Sequence, residues 1–447
     1  MDRLPVEVLW SIDQQIDDLE TRRALSQCSR RLYEVFSPLI FSSIEGRGPH
    51  PCLVKHLWRR PDLACSVRNA NIHSYSCLCT DFDRVAGDKE LVEEMANEVC
   101  EEKEDRAWWK DHLQNNCPDA LLAVLLTRLT HLESITLESR GKTQFVPLIV
   151  EDMSSDIRGR VRVSWGFSGR PVGQRRFSLP FLQAVSLNGE LEHTETISEF
   201  ATSLLYLPTV RRIHFHGLWD LNPNLSDAIQ SHNPKETHDG MMLSGKLTHF
   251  QVEIGSQNEL SWTHYYFRAS EFRQLLLPSK DTLESLSLDF DSQHRYRVNC
   301  LRNARSWGAN IEHLPFGSFR EFHVLKKLRI RHANLAGLPD SKWKQNSDEY
   351  TRPFPVDLLP SSLTSITITE VLSKFVHILI SDVEALLKVK DEETPRLENI
   401  NLHICSEQTR FEEIRVLLGS LTLMAESTGV RMVYELEEMD AMLWNLS

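Results

Sequence analysis

The sequence predicts an α/β protein, with a small N-terminal helical module followed by a long array of repeated helix–turn–strand units. Two patterns carry this prediction. Apolar residues recur at helical spacing through residues 4–44, and a six-residue apolar pattern recurs from Leu132 towards the end of the chain. With 41% apolar and 25% charged residues, the 447-residue chain has the composition of a globular protein. This length allows one large domain or two to three ordinary ones.

The segment from Leu4 to Ile44 is predicted to form two or three short amphipathic helices. Pro5 suits the first turn of a helix, where its missing N–H is not needed. The residues that recur at helical spacing are Val8, Leu9, Ile12, Ile16, Leu25, Cys28, Leu32, Val35 and Phe36. A module of about 40 residues buries little surface by itself, so its apolar stripes are candidates for contact with a partner.

This segment resembles an F-box of the kind found in fungal proteins. The resemblance rests on Leu4-Pro5-x-Glu7-Val8-Leu9-x-x-Ile12, on Leu25-x-x-Cys28-x-x-x-Leu32, and on the closing stretch from Ser37 to Ile44. It implies a three-helix F-box at residues 1–45. Such a module docks on the adaptor subunit of an SCF-type cullin–RING E3 ubiquitin ligase, and through it on cullin, while the rest of the chain captures a protein substrate. One departure is Asp13, which stands where an apolar residue is frequent.

The adaptor-binding residues that the resemblance implies are Leu4, Pro5, Val8, Leu9, Ile12, Leu25, Cys28 and Leu32. Some of them must instead pack the core of the module itself. The alternative interpretation is an ordinary helical cap on the domain that follows.

Charge and composition exclude several classes of protein. A formal net charge of −13 argues against binding to nucleic acid or to an anionic membrane. No apolar run approaches the length of a membrane span, and the first residues do not resemble a signal peptide. Nine cysteines, an odd number without a secretion signal, are typical of reduced thiols. We therefore expect a cytoplasmic or nuclear protein.

Residues 46–118 are predicted to form a helical linker and the N-terminal cap of the repeat array. Gly46 to Pro51 breaks the chain after the first module. A short helix at 53–58, an apolar-x-x-apolar-x-apolar stretch at 67–72 and an acidic helix at 89–113 follow. Trp108 and Trp109 near the end of this helix are expected to pack it onto its neighbour rather than to grip a ligand.

The array itself is predicted for residues 119–436, with residues 437–447 as an acidic tail. Copies of the apolar-x-x-apolar-x-apolar pattern begin at Leu132, Leu182, Val210, Leu247, Leu283, Leu325, Leu363 and Leu397, with a partial copy at Val430. Each copy predicts a short strand with one buried face. A single unit cannot bury that face alone, so neighbouring units are expected to stack.

This repetition resembles a leucine-rich repeat solenoid. The steps of 28 to 50 residues are irregular and longer than the usual repeat of about 20–29 residues. The Asn or Cys expected three positions after each copy is present only at Cys405. We therefore expect an uneven, irregular leucine-rich-repeat-like solenoid. The alternative is a doubly wound α/β sheet, which would normally carry a glycine-rich turn after a strand.

Signatures of catalysis and metal binding are weak, so neither an enzyme nor a cofactor is predicted. Gly166 to Gly169 does not match a nucleophile elbow, and there is neither a phosphate loop nor a His-Glu-x-x-His motif. Several possible zinc ligands lie close in the sequence, namely His50, Cys52, His56, Cys65, His73, Cys77 and Cys79. Cys77-x-Cys79 is too tight for the usual pairs of a structural zinc site, so buried free thiols are expected.

Outward-facing strand positions are the candidates for contact with the substrate. Two basic rows stand out, one of Arg212, His214 and His216, the other of Lys327, Arg329 and Arg331. Alternating residues of a strand share one face, and such a row can bind a carboxylate or phosphate. The alternative is a solvated face balanced by nearby acids such as Glu253, Asp289 and Asp291. The sequence thus predicts a substrate receptor of a ubiquitin ligase, or alternatively a scaffold protein that acts outside any ligase.

Overall fold

The structure of the chain is a computed structural model that divides into two compact units, Met1–Val210 and Arg211–Ser447. The residues that it describes are 4–16, 18–75, 77, 88–100, 103–139, 143–150, 178–189, 204, 207–218, 246–254, 269–290, 315–337, 355–406 and 408–438. Within these residues the protein is of the mixed α/β class. No helix among them has the length and apolar character needed to cross a membrane.

The first unit opens with the helices that the apolar spacing predicts. They are α1 (Val6–Asp13), α2 (Leu19–Cys28) and α3 (Arg30–Ile40). Two polar side chains fix where helices begin. Asp18 accepts a hydrogen bond from the Thr21 amide at 2.6 Å, and Ser29 accepts one from the Leu32 amide at 3.3 Å. Both are N-cap interactions, which satisfy amide groups that have no partner inside the helix.

Besides a helical segment at 145–150, four parallel strands and five further helices follow among the described residues of this unit. They are β1 (Ser43–Arg47), α4 (Pro51–Arg59), α5 (Pro61–Ala64), β2 (Asn69–Tyr75), α6 (Lys89–Val99), α7 (Lys103–Gln114), α8 (Pro118–Arg128), β3 (Ser134–Ser139) and β4 (Ala184–Gly189). The strands pair in chain order, β1 with β2, β2 with β3 and β3 with β4. The predicted single acidic helix is in fact two, since α6 ends at Val99 and α7 begins at Lys103.

The described part of the second unit contains seven parallel strands, again paired in chain order. Its strands are β5 (Arg212–Leu218), β6 (His249–Ile254), β7 (Ser285–Phe290), β8 (Lys327–Arg331), β9 (Ser365–Leu372), β10 (Asn399–Ser406) and β11 (Arg431–Glu438). Its longer described helices are α9 (Ala269–Leu276), α10 (His332–Ala336), α11 (Val376–Lys388), α12 (Lys390–Glu393) and α13 (Phe411–Ser427). β11 reaches Glu438, so the predicted tail boundary at 437 falls inside a strand.

The repeated apolar pattern determines the register of the strands. The fourth residue of each copy pairs with its equivalent in the next strand, as in Leu286 with Leu328, Leu328 with Ile366 and Ile366 with Ile400. These side chains are buried. A one-residue slip would turn every apolar side chain to the opposite face of the sheet, which explains why the register is so regular.

A second ladder of hydrogen bonds joins the residues just before the strands. In the second unit the carbonyl of Thr248 accepts bonds from the amides of Glu284 and Ser285, at 2.8 and 3.0 Å. The same pair of hydrogen bonds to one carbonyl recurs at each step from Arg211 to Thr364. Strand order does not reverse within the described part of either unit. A doubly wound sheet, the alternative from sequence, has such a reversal at its ligand-binding crevice.

Candidate functional site

The three N-terminal helices separate the predicted adaptor-binding residues into buried, partly buried and exposed groups. Leu9 and Leu32 are buried and form the core of this segment with Val35 and Phe36, and the side chains of Leu4, Ile12 and Leu25 pack partly against that core. Pro5, Val8 and Cys28 are exposed. Only the exposed group, together with the outer edges of the partly buried one, is available to a partner.

The helices also expose apolar side chains that sequence reasoning missed. Trp10 on α1 keeps 53% of its surface exposed, and Leu19 on α2 and Tyr33 on α3 are exposed as well. Single exposed apolar side chains are ordinary, whereas a contiguous apolar patch is typical of an interaction site. The helical spacing itself contained the signal for Trp10, because it lies off the apolar stripe of Leu9 and Ile12, which packs inward.

Asp13, the departure from the F-box pattern, has a clear structural role. Its carboxylate accepts a hydrogen bond from Arg22 Nε at 2.7 Å, and Arg22 also donates to the Asp13 carbonyl at 3.3 Å. In addition, Arg31 donates to the carbonyl of Leu4 at 2.5 Å. These contacts tie α1 to α2 and α3, so the acid at position 13 stabilises the helical segment from within.

In the second unit the basic residues lie in rows across one face of the sheet. The strand register aligns Arg212, His249, Ser285 and Lys327 as one row, and His214, Gln251, Ser287 and Arg329 as the next. Arg212 and Lys327 are three strand spacings apart, or about 14 Å at about 4.8 Å per strand. Four of the predicted substrate-binding residues therefore share a face without forming one compact cluster, namely Arg212, His214, Lys327 and Arg329.

Acidic side chains on the same face neutralise part of these rows. His216 Nδ1 lies 2.8 Å from Glu253 Oε2, His214 Nε2 lies 3.9 Å from Glu253 Oε1, and Gln251 donates a hydrogen bond to Glu253 at 2.7 Å. The contacts of His214 and His216 with this carboxylate hold the pKa of the Glu253 carboxyl well below its usual range. Glu253 is therefore ionised across the physiological range.

Arg329 is also paired. Its Nε donates to Asp289 Oδ2 at 2.8 Å, and the hydroxyl of Thr369 donates to Asp289 Oδ1 at 2.8 Å. Asp289 is buried whereas Arg329 remains half-exposed. Of the acids predicted to balance the face, Glu253 and Asp289 do so, and Asp291 lies outside the described residues.

Arg331 requires a correction, because it is not on the solvated face. Its side chain is 0% exposed, and its guanidinium donates to Glu370 and, at 3.1 Å, to Asn334. A β-bulge between β9 and β10 and a positive φ of 53° at Glu370 direct this carboxylate towards Arg331. A protein target cannot contact Arg331 in this state, whereas Lys327 and Arg212 are exposed.

Two groups among the described residues have the ligand types and spacing to hold a metal ion. One is Cys77, His112 and Cys117 in the first unit, and the other is His214, His216 and Glu253 in the second. Within each group all ligand atoms lie within 4.8 Å of one another. The first group shares only Cys77 with the cysteines and histidines considered from sequence. Of those, Cys52 is exposed, Cys65 contacts Thr130 and Cys79 lies outside the described residues.

Comparison with known proteins adds no assignment. No protein-family model matches the chain, and no curated protein matches its sequence.

Proposed function

We propose that this chain is an F-box protein that acts as the substrate-recognition subunit of an SCF-type cullin–RING ubiquitin ligase. The N-terminal helices dock on the adaptor subunit, and a leucine-rich-repeat-like solenoid formed by the parallel strands presents a protein target. In this role the chain makes and breaks no bonds itself. It raises the effective concentration of its target near a ubiquitin-loaded enzyme held by the other subunits.

One observation carries the proposal. The segment that matches the F-box pattern folds into three helices that bury Leu9 and Leu32 yet leave Val8 and Trp10 exposed on α1. This division is what a docking module requires, because one apolar set holds the helices together while another remains for the partner. The regular pairing of equivalent apolar positions in successive strands supports the repeat part of the proposal.

The structure sharpens the experiment that tests this role. The full-length chain is co-purified with the adaptor subunit, alongside a Val8→Asp/Trp10→Asp variant that alters only exposed positions. A Val416→Asp/Leu423→Asp variant is the matched control, because both residues are well exposed on α13 in the other unit. We expect the adaptor to be lost with the first variant and retained with the control, with unchanged circular dichroism in both.

Retention of the adaptor by the Val8→Asp/Trp10→Asp variant would show that α1 is not the docking surface. Failure of the folded wild-type chain to bind the adaptor at all would refute the receptor role. It would favour the alternative, a scaffold protein that acts outside any ligase.

A further inference from the structure

Cys77, His112 and Cys117 come together although 35 and 40 residues separate Cys77 from the other two in the sequence. The Sγ atom of Cys77 lies 3.5 Å from His112 Nδ1, and all three ligand atoms lie within 4.8 Å of one another. Cys117 is fully buried and Cys77 is half-buried. Two thiols and an imidazole thus meet in one place in the first unit.

The local backbone brings His112 and Cys117 to the same side. His112 lies in the last turn of α7, and Cys117 is the residue before α8. Asn116 has a positive φ of 52°, which turns the chain back so that the Cys117 amide donates to the His112 carbonyl at 2.9 Å. Asparagine tolerates this left-handed conformation better than most residues. Cys77 approaches from the end of β2.

Aromatic rings enclose the imidazole. His112 lies 5.4 Å from the ring of Trp108 and 4.7 Å from that of Phe145, and these two rings stack at 4.1 Å. The buried carboxylate of Asp119 does not compete for a ligand position. It already accepts hydrogen bonds from the amides of Gln144, Phe145 and Val146, at 2.5, 2.8 and 3.1 Å. The cluster therefore has aromatic neighbours and one buried carboxyl group nearby.

We propose that Cys77, His112 and Cys117 bind a divalent zinc ion. Tetrahedral zinc with Zn–S of about 2.3 Å and Zn–N of about 2.0–2.1 Å places a sulfur and a nitrogen ligand about 3.6 Å apart. The observed separation of Cys77 Sγ and His112 Nδ1 is 3.5 Å. Thiolate and imidazole select zinc over the magnesium and calcium ions that prefer oxygen. Three protein ligands leave one position of a tetrahedral zinc ion, which a water molecule would fill.

The ion would fasten the end of β2 to the corner between α7 and α8. This inference is independent of the proposed ligase role, because none of its residues belongs to α1–α3 or to the strand face of the second unit.

Metal content of the full-length protein, purified with reductant after growth with zinc, tests the site. We expect about one zinc per chain in the wild type and in Cys100→Ser, because Cys100 is a buried cysteine outside the cluster. In Cys77→Ser we expect zinc to fall at least about tenfold, since one of three protein ligands is lost. A His216→Ala variant removes a ligand of the other candidate group. This variant should keep the zinc content of the wild type, because the proposed zinc site is elsewhere.

Cobalt substitution gives a readout that does not depend on a destabilised variant. The wild-type protein with Co²⁺ should show the visible bands of a tetrahedral centre together with thiolate-to-cobalt charge transfer. Cys77→His, at the half-buried position, should keep the tetrahedral bands and lose about half of the charge-transfer intensity, because one of two thiolates is replaced.

Four results would each overturn the proposal. They are wild-type protein without bound zinc, a Co²⁺ spectrum without thiolate charge transfer, zinc that is lost in His216→Ala but kept in Cys77→Ser, and a disulfide between Cys77 and Cys117 found by thiol alkylation and mass spectrometry.

Discussion

The ion pair between Arg331 and Glu370 gives the most quantitative prediction for the second unit. The two side chains are 0% and 2% exposed, so water compensates neither charge. Removing one member of such a pair leaves an unpaired buried charge and costs about 3–5 kcal/mol, whereas replacing both by apolar residues is often neutral or stabilises by about 1–4 kcal/mol. Asn334 still accepts a hydrogen bond from Arg331 when Glu370 is changed, which places the loss nearer the lower value.

Three variants separate these cases: Glu370→Gln, Arg331→Met, and Arg331→Met/Glu370→Met. Hydrogen exchange of β8 and β9, followed by mass spectrometry, reports the opening free energy of this region directly. We expect Glu370→Gln to lower that free energy by about 3 kcal/mol. Amides that exchange through this opening should then exchange more than about a hundredfold faster. The double variant should recover most of this loss.

The reasoning would be wrong if Glu370→Gln left the exchange of β8 and β9 unchanged. It would also be wrong if the losses of the two single variants simply added in the double variant, because the pair would then have no coupling energy. Exchange in β3 of the first unit serves as the internal control and should be the same in all variants.

Three further predictions concern separate parts of the chain. Trp10→Ala should weaken adaptor binding about a hundredfold in a titration. Covering half of the indole buries roughly 130 Å², which is worth about 3 kcal/mol at about 25 cal/mol per Å². Unchanged affinity would show that Trp10 does not contact the adaptor. Asp119→Ala should lower the opening free energy of the helix that begins near Phe145 by at least about 2 kcal/mol, because three amides lose their acceptor; equal exchange in the two proteins would contradict this. The depressed pKa of Glu253 stabilises the fold fully above the ordinary carboxyl range, and this contribution is lost as the pH falls below it. Glu253→Gln should therefore show a shallower acid limb in pH-dependent unfolding, and an unchanged limb would show that the histidine contacts do not matter.

The strands were predictable because their pattern is periodic and local. Every complete copy of the six-residue pattern, and the partial copy at Val430, coincides with a strand from β3 to β11, and the similar stretch at 67–72 coincides with β2. β1 was missed because Ile44 is its only large apolar residue and Gly46 lies within it. The break between α6 and α7 was missed because the acidic face continues across it.

The predicted packing of the tryptophans is confirmed. Trp109 is buried with its ring 4.5 Å from that of Phe145, and Trp108 stacks on the same ring. The exposure of Arg331 was predicted wrongly, because strand alternation does not show where a strand ends. β8 ends at Arg331 and α10 begins at the next residue, so the guanidinium turns inward to Glu370.

The cysteine cluster was beyond the reach of sequence reasoning for a different reason. Proximity in sequence suggested Cys52, Cys65 and Cys79 as neighbours of Cys77. The ligands that meet it lie at the far end of α7 and the start of α8. Only the packing of β2 against those helices brings them together, and spacing along the chain carries no signal for that.

The ion pairs on the strand face of the second unit limit which charged side chains remain for contact with a target. His214 and His216 share the charge of Glu253, Arg329 is matched by Asp289, and Arg331 is buried. Among the described residues of this face, Arg212 and Lys327 are two exposed cations outside any ion pair, and Arg431 is a third in the same row. The strand register places Arg212 and Lys327 about 14 Å apart. A single phosphate could be bound by one cation. Two separated cations instead favour, as a target, an extended segment with acidic residues at matching positions. Exchanging Arg212 and Lys327 for glutamate should therefore weaken target capture more in combination than either change alone, while adaptor binding stays constant.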